Sequence, residues 1–275
     1  MALSVVDLYT RVLPRTNCGE CGYPTCMAFA SMVVSQKIPL KGCPYLTAET
    51  LATCQPELDA QHAAGKWTQR DPAADALDWA RQRAASMNLA DLPERIGGEL
   101  KDVEGEPCLA LPYFDTQVHI GRDDIHKVDG SPIGRWEKVF IFNHLAQGGS
   151  RLPTGRWKAF QEIPNTVSKT KSMRAHVEEP LQERFSGRRE ELVQAAQRIG
   201  GVDVTAETES VDLALHFQPL ARVPVMLLFW DADKDSGFDA EVKLSFDETI
   251  TDHLDIESTL FLSEHLVKLL VINDQ

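Results

Sequence analysis

Four cysteines close to the start of the chain constrain its fold more than any other feature. They are Cys18, Cys21, Cys26 and Cys43, and Pro44 directly follows the last of them. Thiolates are soft ligands, and four of them saturate either one zinc ion or one cubane iron–sulfur cluster. The sequence therefore predicts an inorganic centre in this region, and the spacing has to decide which one.

The spacing of these cysteines favours an iron–sulfur cluster over zinc. A zinc site of four thiolates is usually built from two close pairs, whereas Cys26 and Cys43 stand alone, 17 positions apart. Three close cysteines and a distant fourth followed by proline fit the larger cubane. Gly19 and Gly22 allow the backbone to pass close to inorganic sulfides, where a Cβ would clash. A zinc site and a set of unliganded thiols stay open as alternatives.

The overall charge and hydropathy limit the classes of partner. The 275-residue chain carries a formal net charge of −13, although residues 1–50 have a net charge of +1. Nucleic-acid binding rests on Lys and Arg neutralising phosphates, so this balance argues against a nucleic-acid partner. The longest apolar runs, such as 223–230, are much shorter than the roughly 18 residues that cross a bilayer. We therefore expect no membrane span.

The N-terminus and the cysteine count indicate the compartment. Residues 1–7 lack a basic region and a long apolar stretch, so we expect no secretory signal and a cytoplasmic protein. Six cysteines in a chain of this length are too few for a disulfide framework, and clustered cysteines in a reducing compartment indicate metal. Cys54 and Cys108 lie outside the run and are expected to be buried small side chains rather than ligands.

Capping residues, periodic apolar residues and prolines divide the first ninety residues into helices. The second of these helices is nearly all apolar and is expected to be buried. A weakly structured linker is expected over 55–70. The predicted helices span residues 4–13, 26–37, 47–54 and 71–87.

The longer remainder of the chain predicts an α+β domain with a mainly antiparallel sheet. Residues 211–217 alternate between apolar and polar side chains, 223–230 is a continuous apolar run, and 240–246 is expected to pair back on that run as a hairpin. The other predicted elements are strands at 109–111 and 117–120, helices at 139–145 and 257–270, and one or two helices over 180–199. We expect a small helical cluster-binding domain at 1–60, a linker and helix at 61–90, and the α+β domain at 91–275.

A basic segment stands out within the acidic larger domain. Residues 151–175 carry a net charge of +5. Arg156, Lys158 and Arg174 are the candidate residues of a site for an anionic ligand or an acidic protein partner. The alternative is a solvated loop, because runs of charge usually face water.

Motifs of common enzyme classes are missing from the sequence. It contains no Walker A loop, no dinucleotide-binding glycine motif and no nucleophile elbow. Its eight histidines show no spacing typical of a metal site. Catalytic residues are therefore not assigned, and whether the chain is an enzyme stays open.

The cysteine region resembles a known domain. Residues 18–30 read CGECGYPTCMAFA, and Cys43-Pro44 follows. This text resembles the small [4Fe-4S] domain of the corrinoid iron–sulfur protein large subunit, a domain type that also occurs in the B subunit of the Rnf electron-transport complex. The resemblance covers residues 1–55. It implies a low-potential [4Fe-4S] cluster ligated by Cys18, Cys21, Cys26 and Cys43.

The second half of the chain resembles an uncharacterised family that is found beside such iron–sulfur domains in anaerobic bacteria. The matching text is LPTGRWKAFQEIP at 152–164, RVPV at 222–225 and FW at 229–230. This resemblance implies a redox or cofactor-related setting and names no reaction.

Three functional hypotheses follow. The leading one is an iron–sulfur protein that transfers single low-potential electrons to a partner protein or cofactor. The resemblance implies corrinoid or anaerobic one-carbon metabolism, with a corrinoid-dependent protein as the partner. The second is a cluster-dependent reductase or cofactor-assembly factor whose C-terminal domain binds a small molecule. The third is a cluster that only stabilises the N-terminal helices.

Overall fold

The chain forms two compact units, Met1–Pro72 and Ala73–Gln275. Each unit has its own hydrophobic core. The sequence-based domain limits at 60 and 90 stay predictions. The computed structural model describes residues 3–65, 72–103, 105–121, 124–233 and 237–271.

The first unit is a small helical fold. Its first turn begins at Ser4, whose hydroxyl accepts a hydrogen bond from the Asp7 amide at 3.1 Å. The second helix begins after Thr25, whose hydroxyl accepts from the Ala28 amide at 3.0 Å. Both starts agree with the predicted helices. The helices are Val5–Asp7 (α1), Cys26–Gln36 (α2) and Ala48–Ala63 (α3), with a π-turn at Leu8–Val12 and a 3-10 turn at Leu40–Gly42.

Helix α2 supplies the centre of the first core. Its Phe29 and Val33 are fully buried and pack with Leu8, Leu40 and Leu58 from the other segments. The predicted burial of this apolar helix is therefore confirmed.

The observed length of helix α3 differs from two predictions. It was expected to end near Cys54 and to give way to a weakly structured linker, yet it continues through Pro56 to Ala63. Proline removes one backbone hydrogen bond, but Leu58 beyond it is fully buried. Gln61 also binds both the amide and the carbonyl of Leu3. These tertiary contacts hold the helix beyond the proline. Residues 66–71, which include the end of the predicted linker and the start of the next predicted helix, lie outside the described residues.

The second unit is an α+β fold. The stretch 180–199, predicted as one or two helices, forms two, and the helix predicted at 139–145 is longer than expected. The helices are Pro72–Ala84 (α4), Leu92–Ile96 (α5), Arg135–Gln147 (α6), Thr170–Met173 (α7), Glu179–Phe185 (α8), Arg189–Arg198 (α9), Ile250–His253 (α10) and Ile256–Val271 (α11).

The strands of the described residues form one antiparallel sheet, which confirms the predicted fold class. The strands are Glu99–Val103 (β1), Glu106–Tyr113 (β2), Thr116–Ile120 (β3), Ile125–Lys127 (β4), Trp157–Ala159 (β5), Val202–Asp203 (β6), Leu213–Leu220 (β7), Val223–Trp230 (β8) and Glu241–Asp247 (β9). Their order is β4-β3-β2-β7-β8-β9-β5, with β1 beside β2 and β6 beside β7. The predicted hairpin of β8 and β9 is present.

The central strands bury one face of the sheet. Leu215, Leu227 and Leu244 lie opposite one another on β7, β8 and β9 and are fully buried. The same core contains Phe140 of α6 and Leu266 of α11. Helices therefore cover the apolar side of the sheet, as the alternation of apolar residues requires. No helix of the described residues is both long and apolar enough to cross a membrane.

Arg222 connects three separate segments of the second unit. Its guanidinium donates to the carbonyl of Glu94 at 2.6 Å, to that of Ser150 at 3.1 Å, and also to that of Arg95. Arg222 lies between β7 and β8, whereas its partners belong to α5 and to the loop after α6. One side chain thus fixes the end of the β7–β8 hairpin against two other segments.

We expect Arg222→Ala to lower the free energy of unfolding by about 1–2 kcal/mol, because three carbonyls lose a charged donor. Urea unfolding followed by tryptophan fluorescence measures this change. Arg198→Ala, at the exposed end of α9, is the matched control and should leave the midpoint unchanged. If the two variants unfold at the same urea midpoint, the Arg222 contacts contribute nothing to stability.

Candidate metal centre

The loop that carries the first two cysteines has an unusual backbone. Gly19 and Gly22 adopt left-handed conformations, with φ angles of +77° and +83°, and side chains are strained at such angles. The Gly22 amide donates to the Gly19 carbonyl at 2.9 Å. Among the described residues, this is the only backbone–backbone hydrogen bond of the loop 18–24. Most amides of the loop are therefore available to another acceptor.

Two local structures position the third and fourth cysteines. Cys26 is the first residue of α2, and its amide donates to Oδ1 of Asn17 at 2.9 Å. Cys43 follows the 3-10 turn, and its amide donates to the Leu40 carbonyl at 3.0 Å. Both thiols are buried within the apolar core of the first unit. Each is thus held by backbone structure rather than by a mobile loop.

Cys43 lies within electrostatic range of the other three cysteines of the run. Burial raises the pKa of the Cys43 thiol, and the charges of the other three cysteines of the run raise it further. The pKa of Cys54 is raised by burial and by Glu57 instead. The structure therefore brings together the four predicted site residues. Cys54 is half-buried and Cys108 buried, and all six cysteines are free thiols.

A zinc ion and a cubane cluster require different arrangements of four thiolates. Among the described residues, no three His, Cys, Asp or Glu side chains are close enough to hold a single metal ion. Thiolates of a zinc site lie about 2.3 Å from one atom, whereas a cubane separates its thiolates by several metal and sulfide atoms. Four neighbouring thiols, unused loop amides and the apolar wall of α2 fit a cubane.

One edge of the cysteine site reaches the protein surface. Cys18 is exposed and Cys21 half-buried. Tyr45, with 53% of its surface exposed, donates a hydrogen bond to the carboxylate of Glu20. This bond raises the pKa of Tyr45. Met27, at the start of α2, is 40% exposed. A centre held here would lie beside an accessible surface that contains apolar groups.

Comparison with known proteins identifies the family of the second unit. A family model described as "Domain of unknown function (DUF3786)" matches residues 88–269, more than half of the chain. The chain belongs to the DUF3786 family. The resemblance of the second half to an uncharacterised family is thereby confirmed.

The first unit of this DUF3786 protein matches different proteins. A model described as "Putative Fe-S cluster" matches residues 13–45. The corrinoid/iron-sulfur protein large subunit of Moorella thermoacetica is 49% identical over 47 residues, which are 17% of this chain and 10% of that protein. The acetyl-CoA decarbonylase/synthase complex subunit gamma of Methanocaldococcus jannaschii is 46% identical over 44 residues, which are 16% of this chain and 9% of that protein.

These matches support an iron–sulfur cofactor in the first unit. The chain spans about a tenth of the length of the curated relatives it matches, so their activities do not extend to it by similarity alone. No solved structure matches the chain.

The basic residues predicted as an anion or partner site are spread along the DUF3786 domain. Arg156 pairs with Glu248, which follows the end of β9. The Nε of Arg174 lies 2.9 Å from a carboxylate oxygen of Glu179, and Arg174 lines a cavity with the start of β9. Lys158 is exposed on β5. Two of the three cations are thus paired, at opposite ends of one strand, and their role stays a prediction.

Sequence reasoning missed a buried ionisable group in the DUF3786 domain. It consists of Tyr113, Lys127, Glu137 and His265, which come from two strands and two helices. No short motif contains them, because up to 152 positions separate its members. The one signal in the sequence is His265, which follows Phe261 by four positions on the last amphipathic helix.

Proposed function

We propose that the first unit holds one [4Fe-4S] cluster on Cys18, Cys21, Cys26 and Cys43 and passes single low-potential electrons to a partner. The convergence of the four thiols at an accessible edge is the observation that carries this proposal. The similarity of the first unit to the corrinoid/iron-sulfur protein large subunit of Moorella thermoacetica supports it.

The local structure suits one-electron chemistry. A cluster changes by one electron between its oxidised and reduced states, and hydrogen bonds to its sulfur atoms tune its potential. The loop amides around Gly19 and Gly22 are available as donors. The buried side of the site, next to Phe29 of α2, is apolar. The exposed side at Cys18 would bring a partner close to the cluster.

A corrinoid-dependent protein is the partner class that we propose. Electron transfer requires proximity and a complementary surface, and it requires no acid, base or nucleophile from this chain. The surface beside the site contains Met27 and Tyr45, and such apolar and aromatic groups are typical of protein interfaces. The transferred electron would leave the reduced cluster and reduce Co(II) of the corrinoid to Co(I).

Anaerobic stopped-flow spectroscopy tests this function. We expect that the dithionite-reduced protein, freed of excess dithionite, converts the Co(II) form of a corrinoid protein to Co(I) as its own cluster is reoxidised. The two absorbance changes should correspond to one electron each. Protein with the Cys26→Ser substitution should leave the cobalt unchanged. A wild-type cluster that keeps its electron in the presence of corrinoid proteins would contradict the proposed partner class.

A further inference from the structure

The DUF3786 domain buries an ionised carboxylate among polar partners. Glu137 is only 7% exposed. Its Oε1 accepts a hydrogen bond from the Tyr113 hydroxyl at 2.9 Å and lies 3.0 Å from Nζ of Lys127. Its Oε2 accepts from the Gly134 amide at 2.7 Å. Burial alone would raise the pKa of Glu137, but His265 in its protonated form, the Gly134 amide and Lys127 lower it. Glu137 is thus charged at neutral pH.

His265 is the fourth residue of this group, and its hydrogen-bonding capacity is not fully used there. Its Nε2 lies 3.2 Å from Oε1 of Glu137, and its ring stacks on Tyr113 with centroids 6.1 Å apart. Nevertheless this buried nitrogen makes no hydrogen bond with acceptable geometry. Burial lowers the pKa of His265 to about 4. The imidazole is therefore neutral at pH 7, and Lys127 is the charged partner of Glu137.

A cavity of about 440 Å³ lies against this group. Helix α11 contributes Phe261, Glu264, His265 and Lys268, whose spacing of three, four and seven places them on one face of the helix. Trp136, at the start of α6, lines the same cavity and packs on Phe261 with ring centroids 4.4 Å apart. The cavity thus has an aromatic wall and a polar end.

The arrangement differs from a purely structural ion pair. Burying charges costs free energy, and buried polar groups that only support a fold are normally hydrogen-bonded. Here Glu137 is satisfied by three donors, whereas the buried Nε2 of His265, which faces Glu137, makes no hydrogen bond, and the His265 side chain lines an open cavity. Perturbed ionisable groups that line a concave space are typical of ligand sites.

We propose that this cavity binds a small aromatic acid that also carries a hydroxyl or amino group. The aromatic ring would pack against Trp136 and Phe261. With the hydrogen of His265 on Nε2, facing Glu137, its Nδ1 is the acceptor for the hydroxyl or amino group. The carboxylate would pair with Lys268, an exposed residue that makes no ion pair within the described part of the chain.

The volume of the cavity agrees with a small-molecule ligand. A cavity of about 440 Å³ lies at the lower end of the roughly 300–1,000 Å³ range of small-molecule sites. Ligand binding in this cavity is independent of the proposed electron transfer, because none of these residues belongs to the first unit. It gives the second sequence-based hypothesis, a C-terminal domain that binds a small molecule, a specific location.

Calorimetric titration of the full-length, anaerobically purified protein tests the site. The probes are 4-hydroxybenzoate, benzoate, which lacks the donor, and phenol, which lacks the carboxylate. We expect 4-hydroxybenzoate to bind at least ten times more tightly than either of the other two. His265→Gln should remove the preference over benzoate, and Lys268→Met should remove the preference over phenol.

One control variant and one exposed test variant keep the proposal falsifiable. Lys101→Met removes an exposed lysine of β1 and should leave every dissociation constant unchanged. Lys268 is exposed, so Lys268→Met should fold even if His265→Gln does not. Equal binding of the three probes, or unchanged constants in the Lys268→Met and His265→Gln proteins, would overturn the proposal.

Discussion

Cys26→Ser is expected to abolish the iron–sulfur cluster. Cys26 is buried, and its position is fixed by the start of α2 and by the bond from its amide to Asn17. A serine hydroxyl at this place is a poor ligand for iron compared with a thiolate. Protein purified without air should therefore fall from about four iron atoms per chain to well below one.

Cys54→Ser is the matched control for this experiment. Cys54 is half-buried in the same unit, and its electrostatic neighbour is Glu57. Iron content, sulfide content and the visible spectrum should match those of the wild-type protein. A loss of iron in Cys54→Ser as large as in Cys26→Ser would show that the four-cysteine assignment is wrong.

Acidification from pH 6.5 to pH 4 is expected to destabilise the DUF3786 unit. His144 is fully buried, its Nδ1 lies 3.0 Å from the His253 carbonyl oxygen, and its Nε2 has no partner. Burial lowers the pKa of His144 to about 4. The unfolded chain, with a histidine pKa near 6.5, then binds a proton that the folded chain excludes.

The direction and size of the loss of stability follow from the difference between the pKa of His144 in the folded chain and in the unfolded chain. The stability linked to His144 is complete above pH 6.5 and is lost as the pH falls toward 4, at about 1.4 kcal/mol per pH unit and about 3 kcal/mol in total. His265, whose pKa is also lowered to about 4, adds a loss of the same sign. Carboxylates with lowered pKa, such as Asp247, lose their stabilisation only at still lower pH.

Urea unfolding at pH 7, 6 and 5 measures this slope. Tryptophan fluorescence reports on the second unit through Trp79, Trp136, Trp157 and Trp230. In His144→Gln the overall stability should fall, but its dependence on pH should be weaker by about 1.4 kcal/mol per unit. An equally steep dependence in wild type and variant would contradict a buried neutral His144.

Patterns of neighbouring residues predicted those helices and strands that depend on nearby sequence rather than on distant contacts. Apolar runs gave α2 and β8, because burial on all sides leaves a continuous hydrophobic signal. Spacing alone singled out Cys18, Cys21, Cys26 and Cys43, since a cluster loop needs its ligands and glycines at fixed positions, and their role as ligands stays a prediction. Prediction failed at Pro56, where Leu58 and Gln61 hold a helix that local rules would end.

Elements that depend on distant partners were missed for a common physical reason. Strand β1 is exposed along its whole length and is charged, so it carries no alternating pattern, and only pairing with β2 makes it a strand. Glu137 and His265 come into contact because α6 and α11 pack together in one core. Apart from the spacing between Phe261 and His265, the sequence around the two residues gives no sign of this contact.

Iron and sulfide analysis combined with electron paramagnetic resonance tests the central claim most directly. We expect protein purified without air to contain about four iron and four sulfide atoms per chain. Reduction by dithionite should give a reversible one-electron signal from a single cluster. One zinc atom per chain and no iron, in material handled the same way, would contradict a cluster on the four cysteines.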